Sequence, residues 1–204
     1  MAWSLLTEMH SPDLTHQHPV LVNQAVECTF KDSELFVVKI QTLSFLIKIA
    51  NSLEQSEVCN EAGIPSEVRE FLDIIHKSAF ISKVKTLITG EGTPVLFLDT
   101  LFTLLSKLID LDYENTLTVL TQLDIWTMLA NLADYHKLKL REIQETRDGP
   151  IGKLLPSSQI DSLHSCIASL GYLIQTAVLR QPDIASYLSS STCLVAELLN
   201  LGTH

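Results

Sequence analysis

The sequence predicts an all-α fold in which about three to four similar helical units stack on one another. Three observations lead there. Apolar residues recur with a period of 3.6 almost throughout, and hardly any stretch alternates with period two. A strongly apolar, helix-length run appears three times, starting near Val37, Val95 and Ile160. Each run is followed by a short polar link, a shorter helix-like run, a turn signal and another amphipathic run, so one pattern of about 40 residues repeats.

Taken in order, residues 1–32 read as an N-terminal cap: a short helix, a His/Pro-rich turn and a second helix from about Pro19. The first unit, 33–78, opens with a helix over 37–51. Phe36, Ile40, Leu43, Ile47 and Ala50 form its stripe, and Val37, Phe45, Leu46 and Ile49 widen it until most sides are apolar, as in a helix covered front and back. Ser56 is placed to cap a short second helix over 56–62, which Gly63 would end. Pro65 suits the first turn of a third helix, where Glu67 and Glu70 favour the positive end. That helix presents Val68, Phe71, Leu72 and Ile75. A further helix is predicted from Phe80 to Ile88.

The second unit, 94–139, follows the breaker Thr89-Gly-Glu-Gly-Thr-Pro94. Leu98, Leu101, Leu104, Leu105 and Leu108 supply its first apolar face. Asp112-Tyr-Glu-Asn115 interrupts it, Thr116 to Leu123 forms the short helix, and Asp124 caps the helix from Ile125 to Ala133. Residues 141–158 read as an irregular loop insertion. The third unit, 159–201, carries Ile160, Leu163, Ile167, Leu170, Ile174 and Ala177, then a break at Gln181-Pro-Asp183. A short helix over 184–188 leads through Ser189-Ser-Ser-Thr192 to a last apolar run, Leu194 to Leu201. One domain, 1–204, accommodates all of this.

The long–short–long helix order, with Glu-Ala-Gly-Ile-Pro between the last two helices of the first unit, resembles armadillo repeats, and the resemblance covers most of 33–201. It implies a right-handed α-α superhelix whose third helices line a concave groove. Some armadillo families read extended peptides through Trp and Asn four residues apart on successive third helices. Here Trp126 and Asn131 are five apart and occur in one unit only, a departure from that pattern.

The groove so implied makes Arg69, Asp73, Trp126, Asn131 and Asp134 the candidate partner-binding residues. Two readings of Trp126 stand side by side. It sits near the edge of a stripe formed by Ile125, Met128, Leu129 and Leu132 and anchors a partner, or it packs between units. Arg69 and Asp73 at i, i+4 are either polar groove surface or an ordinary surface ion pair.

Composition narrows the function classes. Charged residues are only 19%, below the roughly 25% of typical globular chains, which suggests apolar surface that a partner or second copy covers. The net charge is −10. Residues 1–75 carry 11 acids and 4 bases, residues 76–153 carry 10 and 9, and residues 154–204 carry 3 and 1. An acidic chain argues against phosphate-backbone binding, and Lys137, Lys139, Arg141, Arg147 and Lys153 are offset by nearby acids. No uncharged apolar run approaches the 18–20 or so residues that span a bilayer, and no secretory leader is evident. Cys28, Cys59, Cys166 and Cys193 show no paired spacing, so they read as reduced thiols of an intracellular, cytoplasmic or nuclear protein.

Catalytic and cofactor motifs are not expected. His10, Asp13, His16 and His18 lie close in sequence but in a Pro-flanked turn that fixes no ligand geometry. His164 and Cys166 at i, i+2 point to different helix faces. Gly149-Pro-Ile-Gly-Lys153 lacks the spacer and the hydroxyl of a phosphate loop. The expected function is therefore a non-enzymatic protein–protein interaction scaffold, without metal or cofactor, that binds a protein or peptide segment of basic or polar character. The alternative is homo-oligomerisation, or a place in a larger repeat scaffold, through the low-charge face near the C-terminus.

Overall fold

The computed structural model describes residues 19–57, 66–90, 92–148 and 157–188. Among these residues the structure is all-helical and contains no strand. In chain order the helices are α1 (Pro19–Phe30), α2 (Phe36–Glu57), α3 (Ser66–Lys77), α4 (Phe80–Thr89), α5 (Val95–Leu111), α6 (Tyr113–Gln122), α7 (Ile125–Asp148), α8 (Ser157–Arg180) and, after a 3-10 turn over Pro182–Ile184, α9 (Ala185–Leu188).

Helix α5 is the centre of the molecule. Ten of its seventeen residues are buried, among them Phe97, Leu101, Phe102, Leu105 and Leu108, because α2 packs along one flank and α8 along the other. The three helices run parallel and in register. At their N-terminal ends the Phe36 and Phe97 rings meet edge-on at 5.4 Å, and Val95 packs against Ile160 and Leu163. At their C-terminal ends the Lys107 ammonium lies 2.8 Å from the Glu54 carboxylate. These are the three apolar runs of the sequence, now neighbours in one layer.

The helices between them in sequence form a second layer. Contacts run from α1 to α3, from α3 to α4, from α4 to α6, and from α6 to α7. Each junction has a local chemical cause. Pro94 holds extended backbone (φ −65°, ψ 143°) immediately before α5, and Gly92 takes a positive φ of 73°, which a side chain would resist. Asp112 ends α5, and its carboxylate accepts from the Asn115 backbone N–H at 3.4 Å to start α6. The same carboxylate lies 2.9 Å from His76 Nε2, tying the end of α3 to the α5–α6 turn. Lys85 of α4 donates to the Leu123 carbonyl at the end of α6 (3.0 Å), a common way to satisfy an open helix C-terminus.

Several expectations change. Helix α2 continues unbroken to Glu57, so Ser56 is interior to it rather than a cap for a new helix; the remainder of the expected short helix, 58–62, lies outside the described residues. The expected loop 141–158 is helical as far as Asp148, since α7 runs for 24 residues, and 149–156 lie outside the described residues. The second half of α7 is held by a small separate core of Leu140, Ile143, Ile160, Leu163 and Ile167. Residues 1–18 and the run Leu194 to Leu201 also lie outside the described residues. Two stretches, Phe36–Glu54 and Ser158–Arg180, are long and apolar enough to cross a membrane by length and composition, although both contain charges. In this structure they flank α5, and 44% and 39% of their most apolar windows are buried inside the protein. Buried core helices meet the same criterion.

Candidate functional site

The five expected groove residues do not assemble into one surface. Trp126 is fully buried, and its indole N–H donates to Thr121 Oγ1 at 2.9 Å, which closes the α6–α7 corner. The packing reading of Trp126 is the one the structure shows. Its buried neighbours on α7 are Ile125, Leu129, Ala130, Ala133, His136 and Leu140, a stripe rotated from the expected one. Met128 and Leu132 are only partly buried. Asn131 is exposed and Asp134 half-buried on the same helix. Arg69 and Asp73 are exposed on α3, where Asp73 pairs with Lys77 at 3.3 Å rather than with Arg69. Helices α3 and α7 pack against different neighbours.

A continuous face appears instead on the outer side of α2, α5 and α8. Apart from Val95, which packs against Ile160 and Leu163, the positions left accessible on α5 are Leu96, Asp99, Thr100, Thr103, Lys107 and Asp110, spaced three and four apart along one stripe. The flanking stripes are Val37, Gln41, Ser44 and Lys48 on α2, and Ser162, Ser165, Ser169 and Tyr172 on α8. Direct bonds join the three. Asp99 accepts hydrogen bonds from the hydroxyls of Ser165 (2.7 Å) and Ser169, and Lys107 donates to Glu54 at 2.8 Å.

Chemistry along this face is graded from one end to the other. At the helix N-termini it is aliphatic, with Leu35, Val37 and Leu96 each more than half exposed. Hydroxyls and Asp99 occupy the middle. The C-terminal end is charged and aromatic: Glu54, Lys107, Asp110 and Arg180 lie among Tyr113 and Tyr172, with the Arg180 guanidinium 5.7 Å above the Tyr113 ring. The hydrogen bond and charge of Glu54 hold the Lys107 ammonium above its ordinary pKa despite partial burial. Asp110 is also held above the usual carboxylate range, first by burial and then by Glu54, with Lys107 and Arg180 opposing. Exposed Tyr and Arg side chains are the residue types that dominate protein interfaces.

Sequence reasoning identified the three long helices but not this face, since it assigned the groove to the other helices. The available signal was the pairing of Glu54 with Lys107 and of Asp99 with Ser165 and Ser169. Nothing in single-helix periodicity announces pairs 53, 66 and 70 residues apart.

Other features offer less. A cleft of about 570 Å³ between α1, α3 and α4 is lined by Phe30, Glu27 and three lysines, 31, 77 and 83. Its cations are engaged within the chain. Lys31 pairs with Glu34 and Lys77 with Asp73, while Lys83 donates to the Ser78 carbonyl and covers the Phe30 ring. Among the described residues no group of three or more His, Cys, Asp and Glu side chains could hold a metal ion. The His10, Asp13, His16 and His18 cluster, the Gly149 to Lys153 turn, Cys59 and Cys193 lie outside them. Cys166 is buried, and its thiol is pushed up to about 12 by that burial and by Asp99, which keeps it protonated and unreactive at neutral pH. His164, two residues away, is exposed. No protein-family model, curated protein or solved structure matches this chain, so the functional reading rests on the geometry of the face.

Proposed function

We propose that this protein is a non-enzymatic interaction scaffold, and that the outer face of α2, α5 and α8 holds a segment of a partner protein. The observation that carries the reading is the joining of three parallel helices into one accessible surface by Asp99–Ser165, Asp99–Ser169 and Glu54–Lys107. Such bonds pre-organise side chains before a partner arrives, which lowers the ordering cost of binding.

The order of contacts also supports an armadillo-like stack in a register shifted from the expected one. Units then end in the long helices: α1–α2, α3–α4–α5 and α6–α7–α8, with α9 following. In that register the armadillo resemblance assigns the groove to α2, α5 and α8, the same three helices. Both arguments lead to one surface.

Site-specific photo-crosslinking in cells tests the proposal. A photoreactive residue at Leu96 or Tyr172 is expected to capture partner protein, whereas one at Thr86, exposed on the α4 side, captures little. Equal capture at all three positions, or capture at Thr86 alone, overturns it.

A further inference from the structure

The gradient along the face carries information about what binds there and in which direction. Helices α2, α5 and α8 all end at the charged side, and α6 begins there at Tyr113, so its positive N-terminus offsets part of their negative ends. The side chains at that end are three carboxylates, Glu54, Asp110 and Glu114, the last accepting the Tyr113 hydroxyl at 3.0 Å, against two cations, which leaves it acidic. Lys107 is already committed to Glu54, and Arg180 is stacked on Tyr113. The opposite end carries the N-termini of the three helices under an aliphatic rim of Leu35, Val37 and Leu96. A cation of the partner is therefore favoured at the acidic end of the face, and an aliphatic side chain at the other.

We infer that the face takes a basic–apolar peptide segment in a single orientation. An aliphatic side chain of the segment lies on Val37 and Leu96, and its lysine or arginine lies against Asp110 and Glu54, between Tyr113 and Tyr172. This rests on the interaction face proposed above and adds the partner's chemistry and direction. Leu96 and Asp110 are fourteen residues apart on α5, about 21 Å along the axis. An extended segment covers that distance in about six or seven residues, which sets the spacing of the two anchors.

Asp110 supplies a signature of function. Its carboxylate is partly desolvated beside another carboxylate, an arrangement that disfavours its charge in the unbound protein. A partner cation relieves the unfavourable charge and is bound the more strongly for it.

The test is selection of a random 16-residue peptide display library on the full chain, followed by affinity measurement of the enriched peptides. Enriched sequences are expected to carry lysine or arginine about six or seven residues from an aliphatic residue. Their binding should fall at least tenfold on both L96D and D110K and remain unchanged on T86D. The isosteric D110N should weaken binding while holding or raising the thermal unfolding midpoint, so a folding defect in D110K leaves the inference testable. Peptides lost on L96D but indifferent to D110N, with no excess of basic residues, overturn the inference and leave the interaction face standing. No enrichment, or binding indifferent to every substitution on the face, overturns both.

Discussion

Trp126 and His136 show how burial decides the role of a side chain. Trp126 is enclosed on α7 with its N–H bonded to Thr121, so Trp126→Ala should cost about 3–5 kcal/mol in urea unfolding, the range for emptying an aromatic core site. A variant with wild-type stability would remove Trp126 from the core. His136 is buried ten residues further along the same stripe, and neither ring nitrogen has a hydrogen-bond partner among the described residues. Burial, then the charge of Lys139, lowers its pKa below the ordinary 6.5. The unfolded chain thus binds this proton more readily than the folded one. The neutral histidine is accommodated above about pH 6.5, and stability is lost as pH falls from there towards the folded-state value. His136→Leu should raise stability at pH 7 by about 1–2 kcal/mol, by removing an unsatisfied buried polar group. It should also flatten the decline of stability as pH falls below about 6.5. Urea unfolding across that range checks both effects; an unchanged acid slope would assign the sensitivity to other groups.

Helix connections are where the chain carries local strain. Two residues, Ser78 and Ala79, turn α3 into α4, and Ala79 adopts left-handed backbone (φ 56°, ψ 33°) without any side-chain cap. A residue with a Cβ pays roughly 1–2 kcal/mol there, and glycine does not. Glycine also loses more freedom on folding, by about 0.5–1 kcal/mol. Ala79→Gly should therefore stabilise slightly, by about 0.5 kcal/mol, whereas Ala79→Val should destabilise by more than 1 kcal/mol, a contrast that chemical denaturation can read. Element boundaries of this kind were mostly legible in the sequence, because Pro94, Gly92, Asp112 and Pro182 act through backbone rules that need no partner. At the α6–α7 corner, Asp124, expected as a cap, takes left-handed backbone (φ 52°), and its carboxylate receives the Thr127 hydroxyl at 3.3 Å. Helix neighbours were not legible. Periodicity shows which side of a helix is apolar, but not which other helix that side meets. The stripe of α7 was misread because Met128 and Leu132 outrank Ala130 and Ala133 in hydrophobicity. Close packing admits the alanines and the large indole on one side and leaves the larger aliphatic chains at the margin.

At the scale of the whole molecule, stability should fall away from the centre of the layer. Helix α5 contacts α2, α8 and α6, and nine of its ten buried residues, all but Ser106, belong to the main core. Exposing its amides requires both flanking helices to separate, which approaches global unfolding. At the far end, the four-residue α9 buries Leu188 and rests on α7 and the 3-10 turn; one exposed turn can open without disturbing the rest. Helix α1 is intermediate, buried through Val22, Ala25, Val26 and Thr29 against α2 and α3. Hydrogen exchange followed by mass spectrometry should therefore show slowest exchange in 97–110, faster exchange in 22–29 and fastest exchange in 185–188. The partner's effect follows from the same ordering. Amides of α5 are already protected nearly to the global limit, so a segment bound on the outer face should slow exchange chiefly at the accessible ends, near 36–40 and 176–180. Strong new protection confined to 80–89 would place the partner on the α4 side and reject the α2–α5–α8 face.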